Sequence, residues 1–171
     1  VCDPFNAIKL VTGLSHWGSG LAMYLLVHTA TQSRRAALLA AIGYVAGYWH
    51  TQQVAVMGRL PLSVFYALLP LPFYALEYMQ RHGCSARPVV GGAVALGSLA
   101  FLHVGYAFWG VFFFALYLAI RLADEATSRN QWLGGLGILG GGLIFGAHMT
   151  LPVWLERGLV GLEAGVRLGG G

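Results

Sequence analysis

Apolar residues in this chain come in long, nearly unbroken blocks, with polar residues gathered into short punctuations between them. A helix needs about 20 mainly apolar residues to cross a hydrocarbon core. Five blocks meet that length: residues 8–31, 36–57, 62–79, 89–123 and 132–155. The first ends at Gln32-Ser33-Arg34-Arg35 and the second at Gly58-Arg59 ahead of Pro61. The third carries Leu69-Pro70-Leu71-Pro72, where a kink is expected because proline removes a helical donor. The fourth is about 35 residues, longer than one crossing requires at ~1.5 Å per residue. It holds no charge, proline or asparagine near residues 103–106, so a single long, tilted helix is expected. A hairpin there is the alternative and would add a sixth span.

Composition agrees with lipid as the main solvent. The 171 residues are 57% hydrophobic and 9% charged, against about 25% charged in an ordinary soluble domain. Nearly the whole length is consumed by the spans, so residues 1–171 form one transmembrane domain with no separate catalytic unit. The expected fold is all-α: a polytopic membrane helix bundle of five transmembrane helices, or six with the hairpin.

The formal charge is +4 and nine of the ten basic residues are Arg, scattered singly or as the Arg34-Arg35 pair. No basic run suggests nucleic acid. Under five spans, one face of the membrane collects Arg34, Arg35, Arg81, Arg87, Arg157 and Arg167, and the other Lys9, Arg59, Arg121 and Arg129. That places loops 32–35 and 80–87 together, with Arg59 and residues 124–130 opposite, and the basic excess marks the cytosolic or matrix side. Cys2 and Cys84 could pair, but two thiols make no metal or disulfide framework. The chain begins at Val1, and a removed organelle presequence is expected.

Glycine is abundant, in Gly43-x-x-x-Gly47 and through residues 134–146. Small residues let membrane helices approach closely, so packing is their first explanation. Room for a flat cofactor is the second.

Carboxylates offer little chemistry, because Asp3, Glu77, Asp124, Glu125, Glu156 and Glu163 all fall at expected span ends or in loops. Histidine differs. His16, His28, His50, His103 and His148 lie in or near apolar spans, where ionisable side chains are uncommon and face the bundle interior. Each alone reads as a neutral imidazole bonded to a neighbour. As a set they suggest more. Spans one and two run antiparallel, so His16 and His50 share a depth near one face, which is the requirement for a bis-histidine haem b. His28 and His148 form a second pair on paper if there are five spans.

The segment Leu14-Ser15-His16-Trp17-Gly18-Ser19-Gly20 resembles the first-helix signature S-x-x-H-R-x-[ST]-G of the succinate dehydrogenase cytochrome b subunit, the large membrane anchor of complex II. His16, Gly18, Ser19 and Gly20 match; Gly13 stands at the family Ser and Trp17 at the family Arg. Tyr48-Trp49-His50-Thr51-Gln52 is similar to the haem-ligand region of the same family, although Gln53-Val54-Ala55 replaces its continuation. The resemblance implies a membrane subunit of a respiratory-chain complex, itself non-catalytic, in the mitochondrial inner membrane or a bacterial plasma membrane. It implies haem b on His16 and His50, with His28 and His148 second, and ubiquinone near Ser15, Trp17, Ser19 and Arg59. Its partners would be the other subunits and lipids. A cofactor-free supernumerary subunit, a small transporter built on the broken third span, and an intramembrane enzyme using His103 as base are the alternatives.

Overall fold

A computed structural model describes residues 3–52, 59–123 and 128–169, with side chains described for all of these except 48, 49 and 158–169. The described residues form eight helices and no strand: α1 (Pro4–Thr31), α2 (Arg34–Ala46), α3 (Tyr48–Thr51), α4 (Leu60–Leu68), α5 (Pro70–His82), α6 (Ala86–Leu102), α7 (Val104–Leu122) and α8 (Arg129–Gly169). Segments 4–31, 60–82, 104–122 and 129–157 are long and apolar enough to cross a membrane, and α6 is a shorter apolar helix. The chain is an integral membrane protein built as an all-α bundle.

The first turn of the chain is tight. Gln32 takes the left-handed conformation that ends α1, and its N–H donates to the His28 carbonyl. Ser33 then caps α2 by accepting the Ala36 N–H. The chain therefore reverses, and Gly20 of α1 lies against Val45 near the far end of α2. At thirteen residues, α2 is only about 20 Å long.

The prolines of the third block mark the junction of α4 and α5 at Leu69. Leu69 stays right-handed and donates to Phe65, so α4 runs into α5 as one 23-residue span. Pro70 has no N–H for the Tyr66 carbonyl one turn back. Tyr44 of α2 supplies the missing donor, its hydroxyl bonding that carbonyl at 2.9 Å. In lipid a freed carbonyl needs such a substitute, because no water reaches it. The proline thus frees an acceptor through which α2 is tethered to α4.

The single helix expected over residues 89–123 is corrected. The chain breaks at His103, whose backbone is extended (φ −165°, ψ 102°). His103 donates its own N–H to Leu99 and accepts the Tyr106 N–H on Nδ1, so both flanking helix ends are satisfied by one residue. α7 folds back: Gly110 meets Leu99, and Leu118 lies beside Gly135 at the start of α8. The hairpin alternative is the one adopted. α1, α2, α4–α5, α6, α7 and α8 alternate in direction among the described residues, and four of these segments, rather than the five expected, are long and apolar enough to cross a membrane.

This changes the sides of the molecule. Gln131 donates to the carbonyls of Met79 and Gln80, which puts the start of α8 beside the end of α5. Arg157 lies at the opposite end, near His103. Arg34, Arg35, Arg81, Arg87, Arg121 and Arg129 therefore share one end, with Lys9, Arg59 and Arg157 at the other. Ser128 and Arg129, expected opposite loops 32–35 and 80–87, join them instead, and the basic excess stays at this end. Cys84 is exposed and unpaired, while Cys2 lies outside the described residues.

α6 is the centre of the bundle, which explains its shortness and its small residues. It buries Gly92, Ala93, Ala95, Leu96, Gly97 and Leu99. It runs parallel to α8, with Val89 beside Gly137, Ala93 beside Gly141 and Ala100 beside Gly146. A Cβ added at Gly97 would sit 2.7 Å from the Gly142 carbonyl oxygen, so these two backbones are in contact. The glycines at 134–146 are packing residues in this respect. Gly43, by contrast, faces open space. The core is completed by Leu62, Phe65, Leu76, Met79, Phe114, Leu118 and Ile138 from α4, α5, α7 and α8. α1 and α2 bury only Ser19, Ala22 and Ala37, and form a thinner pair on one flank.

Single cysteines at Ser33, Ser85 and Ser128, in a background lacking Cys2 and Cys84, should all react with an impermeant reagent from one side of the membrane. Reaction of Ser128→Cys from the opposite side would restore the unbroken fourth helix. Gly97→Leu should destabilise the bundle by about 3 kcal/mol or more, since overpacking a backbone contact costs ~1–3 kcal/mol and occasionally more. Gly43→Leu should be neutral or slightly stabilising in the same thermal unfolding experiment.

Candidate functional site

The described chain concentrates its unusual chemistry where α1, α2, α3 and α4 meet. α1 carries His16 and the short α3 carries His50, and the antiparallel turn at Gln32 returns the chain to the depth of His16. Their rings lie edge to face with centroids 5.1 Å apart. The expectation that these two histidines share a depth and meet is met by the geometry. His50 also stacks on Tyr66 of α4 at 4.4 Å and meets Tyr44 of α2 edge-on at 5.3 Å.

His50 is 4% exposed, and its Nδ1 lies 3.0 Å from the Tyr44 carbonyl oxygen. A carbonyl only accepts, so Nδ1 carries the proton and the Nε2 lone pair of the neutral ring is left bare. That Nε2 and Nδ1 of His16 are buried with no hydrogen-bonding partner among the described residues. An unmade bond on a buried polar atom costs about 1–3 kcal/mol. Two such atoms on touching rings mark a place where a ligand would restore what folding removed.

Haem b can be tested against this arrangement. Two imidazoles on opposite faces of one iron, at metal–nitrogen bonds of about 2 Å, hold their ring centroids roughly 6 Å apart with a porphyrin plane between them. Here the rings touch edge to face, and His50 is stacked on Tyr66. The protonated Nδ1 bonded to a backbone carbonyl is the usual posture of a metal-bound histidine. The spacing nevertheless leaves no slot for a macrocycle, so the pair as folded does not fit a bis-histidine haem. His28 and His148 are not brought together. His28 stacks on Tyr24 in the half of α1 near Arg81, whereas His148 is exposed in the half of α8 near His103. No group of three or more His, Cys, Asp or Glu side chains is arranged for a metal among the described residues.

Two apolar cavities flank the cluster. One, of about 720 Å³, is a groove between α1 and α2 lined by His16, Trp17, Gly20, Tyr24, Ile42 and Val45 among others. The second, of about 400 Å³, lies beyond Tyr44 and Tyr66 and is walled by Phe65, Phe73, Tyr106 and Trp109. Of the residues expected near a quinone, Trp17 lines the first groove and is 84% exposed. Ser19 is buried and spends its hydroxyl on the His16 carbonyl at 2.7 Å. Ser15 and Arg59 line neither cavity, and Arg59 is exposed at the start of α4. His103 caps α7 by accepting the Tyr106 N–H and lies against the Tyr106 ring.

A second polar cluster surrounds Glu77, which the sequence placed at a span end without a partner. Glu77 lies inside the α4–α5 span at 1% exposure. One carboxylate oxygen accepts the Tyr117 hydroxyl at 2.6 Å and the other an Arg121 N–H at 2.7 Å. Tyr117 and Arg121 stand four apart on one face of α7. Both carboxylate oxygens are engaged, so the group ties α5 to α7, and removing the Arg121 charge would leave the buried Glu77 carboxylate without this ion pair. The sequence signals for these features were local: a proline four residues after Tyr66, and Tyr and Arg at helical spacing in α7.

Compared with known protein families, with curated proteins and with solved structures, the chain matches none.

Proposed function

We propose that this chain is a membrane-embedded subunit of a respiratory-chain complex, similar in role to a complex II anchor, and that it binds a quinone in the α1–α2 groove at His16. The observation that carries the reading is the apposed His16–His50 pair, with unpartnered buried nitrogens, set against an apolar groove large enough for a flat ring and part of its tail. A neutral imidazole offers one donor and one acceptor. It can therefore donate to the carbonyl of a quinone or accept the hydroxyl of a quinol. Trp17 and Tyr24 supply aromatic surface for the ring, and the groove is otherwise apolar, as a polyprenyl tail requires. His50 positions His16 by edge contact and is itself fixed by Tyr44 and Tyr66.

The chain's part would be to bind and orient the quinone and to keep water from it. Electrons would arrive from a partner subunit, as the complex II-like role implies. The mitochondrial inner membrane or a bacterial plasma membrane is the setting this reading requires. α1 supports a life in an assembly: its apolar surface at Leu10, Leu14, Trp17 and Leu21 is largely uncovered and available to a neighbouring subunit or to lipid.

The purified protein should retain a short-chain ubiquinone in a saturable way. His16→Ala should weaken that binding about 3- to 10-fold, the equivalent of one hydrogen bond of ~0.5–1.5 kcal/mol. His82→Ala, at the other end of the bundle, should leave it unchanged. Wild-type protein with intact helical content and no saturable ubiquinone binding would overturn the proposal and favour a cofactor-free subunit.

A further inference from the structure

A third cavity, far from the histidine pair, lies between α5 and α6 at the arginine-rich end of the bundle. It encloses about 380 Å³. Leu71, Tyr74 and Tyr78 form one wall, Gly91 and Pro88 the other, and Arg87 stands at its polar rim. Tyr74 and Tyr78 lie 5.9 Å apart, and Tyr78 continues into His82 by a stacked contact at 4.2 Å. The groove is apolar along its length and becomes cationic only where it reaches the membrane surface.

The charge at that rim has no local counterion in the groove. The sole acidic residue of α5, Glu77, faces α7 and is taken by Tyr117 and Arg121. α6 carries no acid at all. Arg81, next to His82, spends one N–H on the Ala30 carbonyl but keeps its charge at the same end. Gly91 faces open space, with nothing within 4 Å of where a Cβ would stand. The opening is therefore made by absent side chains on α6 and is unoccupied by any neighbour.

We propose that the α5–α6 groove binds one anionic phospholipid, with an acyl chain laid against Tyr74, Tyr78 and Gly91 and the phosphate held by Arg87. Charge complementarity selects this occupant. The groove opens at the end that collects the arginines, where an anionic leaflet is expected, and basic pockets between membrane helices on that side take anionic headgroups. The site is independent of the quinone reading, being built from different helices at the opposite end.

Native mass spectrometry of the delipidated full chain, titrated with phosphatidylglycerol or phosphatidylcholine of the same acyl composition, tests the proposal. Phosphatidylglycerol should bind about five-fold more tightly or better, as one basic residue at an anionic headgroup confers. Arg87→Gln should bring the two lipids to near equality while apolar binding persists. Gly91→Leu should fill the groove and lose the tight phosphatidylglycerol site, with unchanged thermal stability showing that the bundle is intact. Arg59→Gln, at the other end, should behave as wild type, and millimolar inorganic phosphate should not compete. Equal binding of the two lipids by wild type, an unchanged preference in Arg87→Gln, or wild-type binding by folded Gly91→Leu would each overturn it.

Discussion

The close contact of α6 with α8 governs this structure. Lipid gives no hydrophobic push between helices, so association rests on how near two backbones can come. Gly97 and Gly142 let them touch, and the register continues through Ala93 with Gly141 and Ala100 with Gly146. Two parallel helices need a return pass between them. α7 is that pass, and it exists because His103 stops α6 and restarts the chain with its backbone groups satisfied. Once α7 returns, Tyr117 and Arg121 can reach Glu77, and α5 is held from both sides. The histidine site sits on the flank of this assembly, in the part of the molecule with the thinnest core.

Much of the fold could be read from the apolar blocks, because block length and loop charge report directly on the bilayer. The hairpin could not be read from residue types, since neither Leu102 nor His103 is a turn former. Its signal was length: residues 89–123 are too many for one crossing. The consequences of that one break are wide. With an unbroken helix, Arg121 and Arg129 fall on the wrong side, His28 and His148 share a depth, and Glu77 at its span end has no visible partner. A break at one position reverses all three.

The candidate site shows the same division. Antiparallel spans joined by a short turn bring His16 and His50 to one depth, and this much was legible. Tyr66 was not, because it depends on how α4 docks. That docking is set by a hydrogen bond from Tyr44 to a carbonyl that Pro70 leaves open. The proline was visible as a kink signal, yet its effect is to create an acceptor and recruit a neighbour. The close ring contact that follows from it leaves the pair as folded without a slot for a haem.

The histidine site depends on α1 and α2 docking onto α4 so that the imidazole pair rests on Tyr66. Gly18 and Ala67 report on that interface, since a Cβ at Gly18 would lie 3.7 Å from the Ala67 Cβ. This falls within the ~3.5–4.5 Å range of a disulfide. In a background with Cys2 and Cys84 replaced by serine, Gly18→Cys with Ala67→Cys should cross-link on mild oxidation in native membranes, and Gly13→Cys with Ala67→Cys should not. Failure of the first pair to cross-link, with both thiols shown to be present and reduced beforehand, would contradict the docking and with it the site.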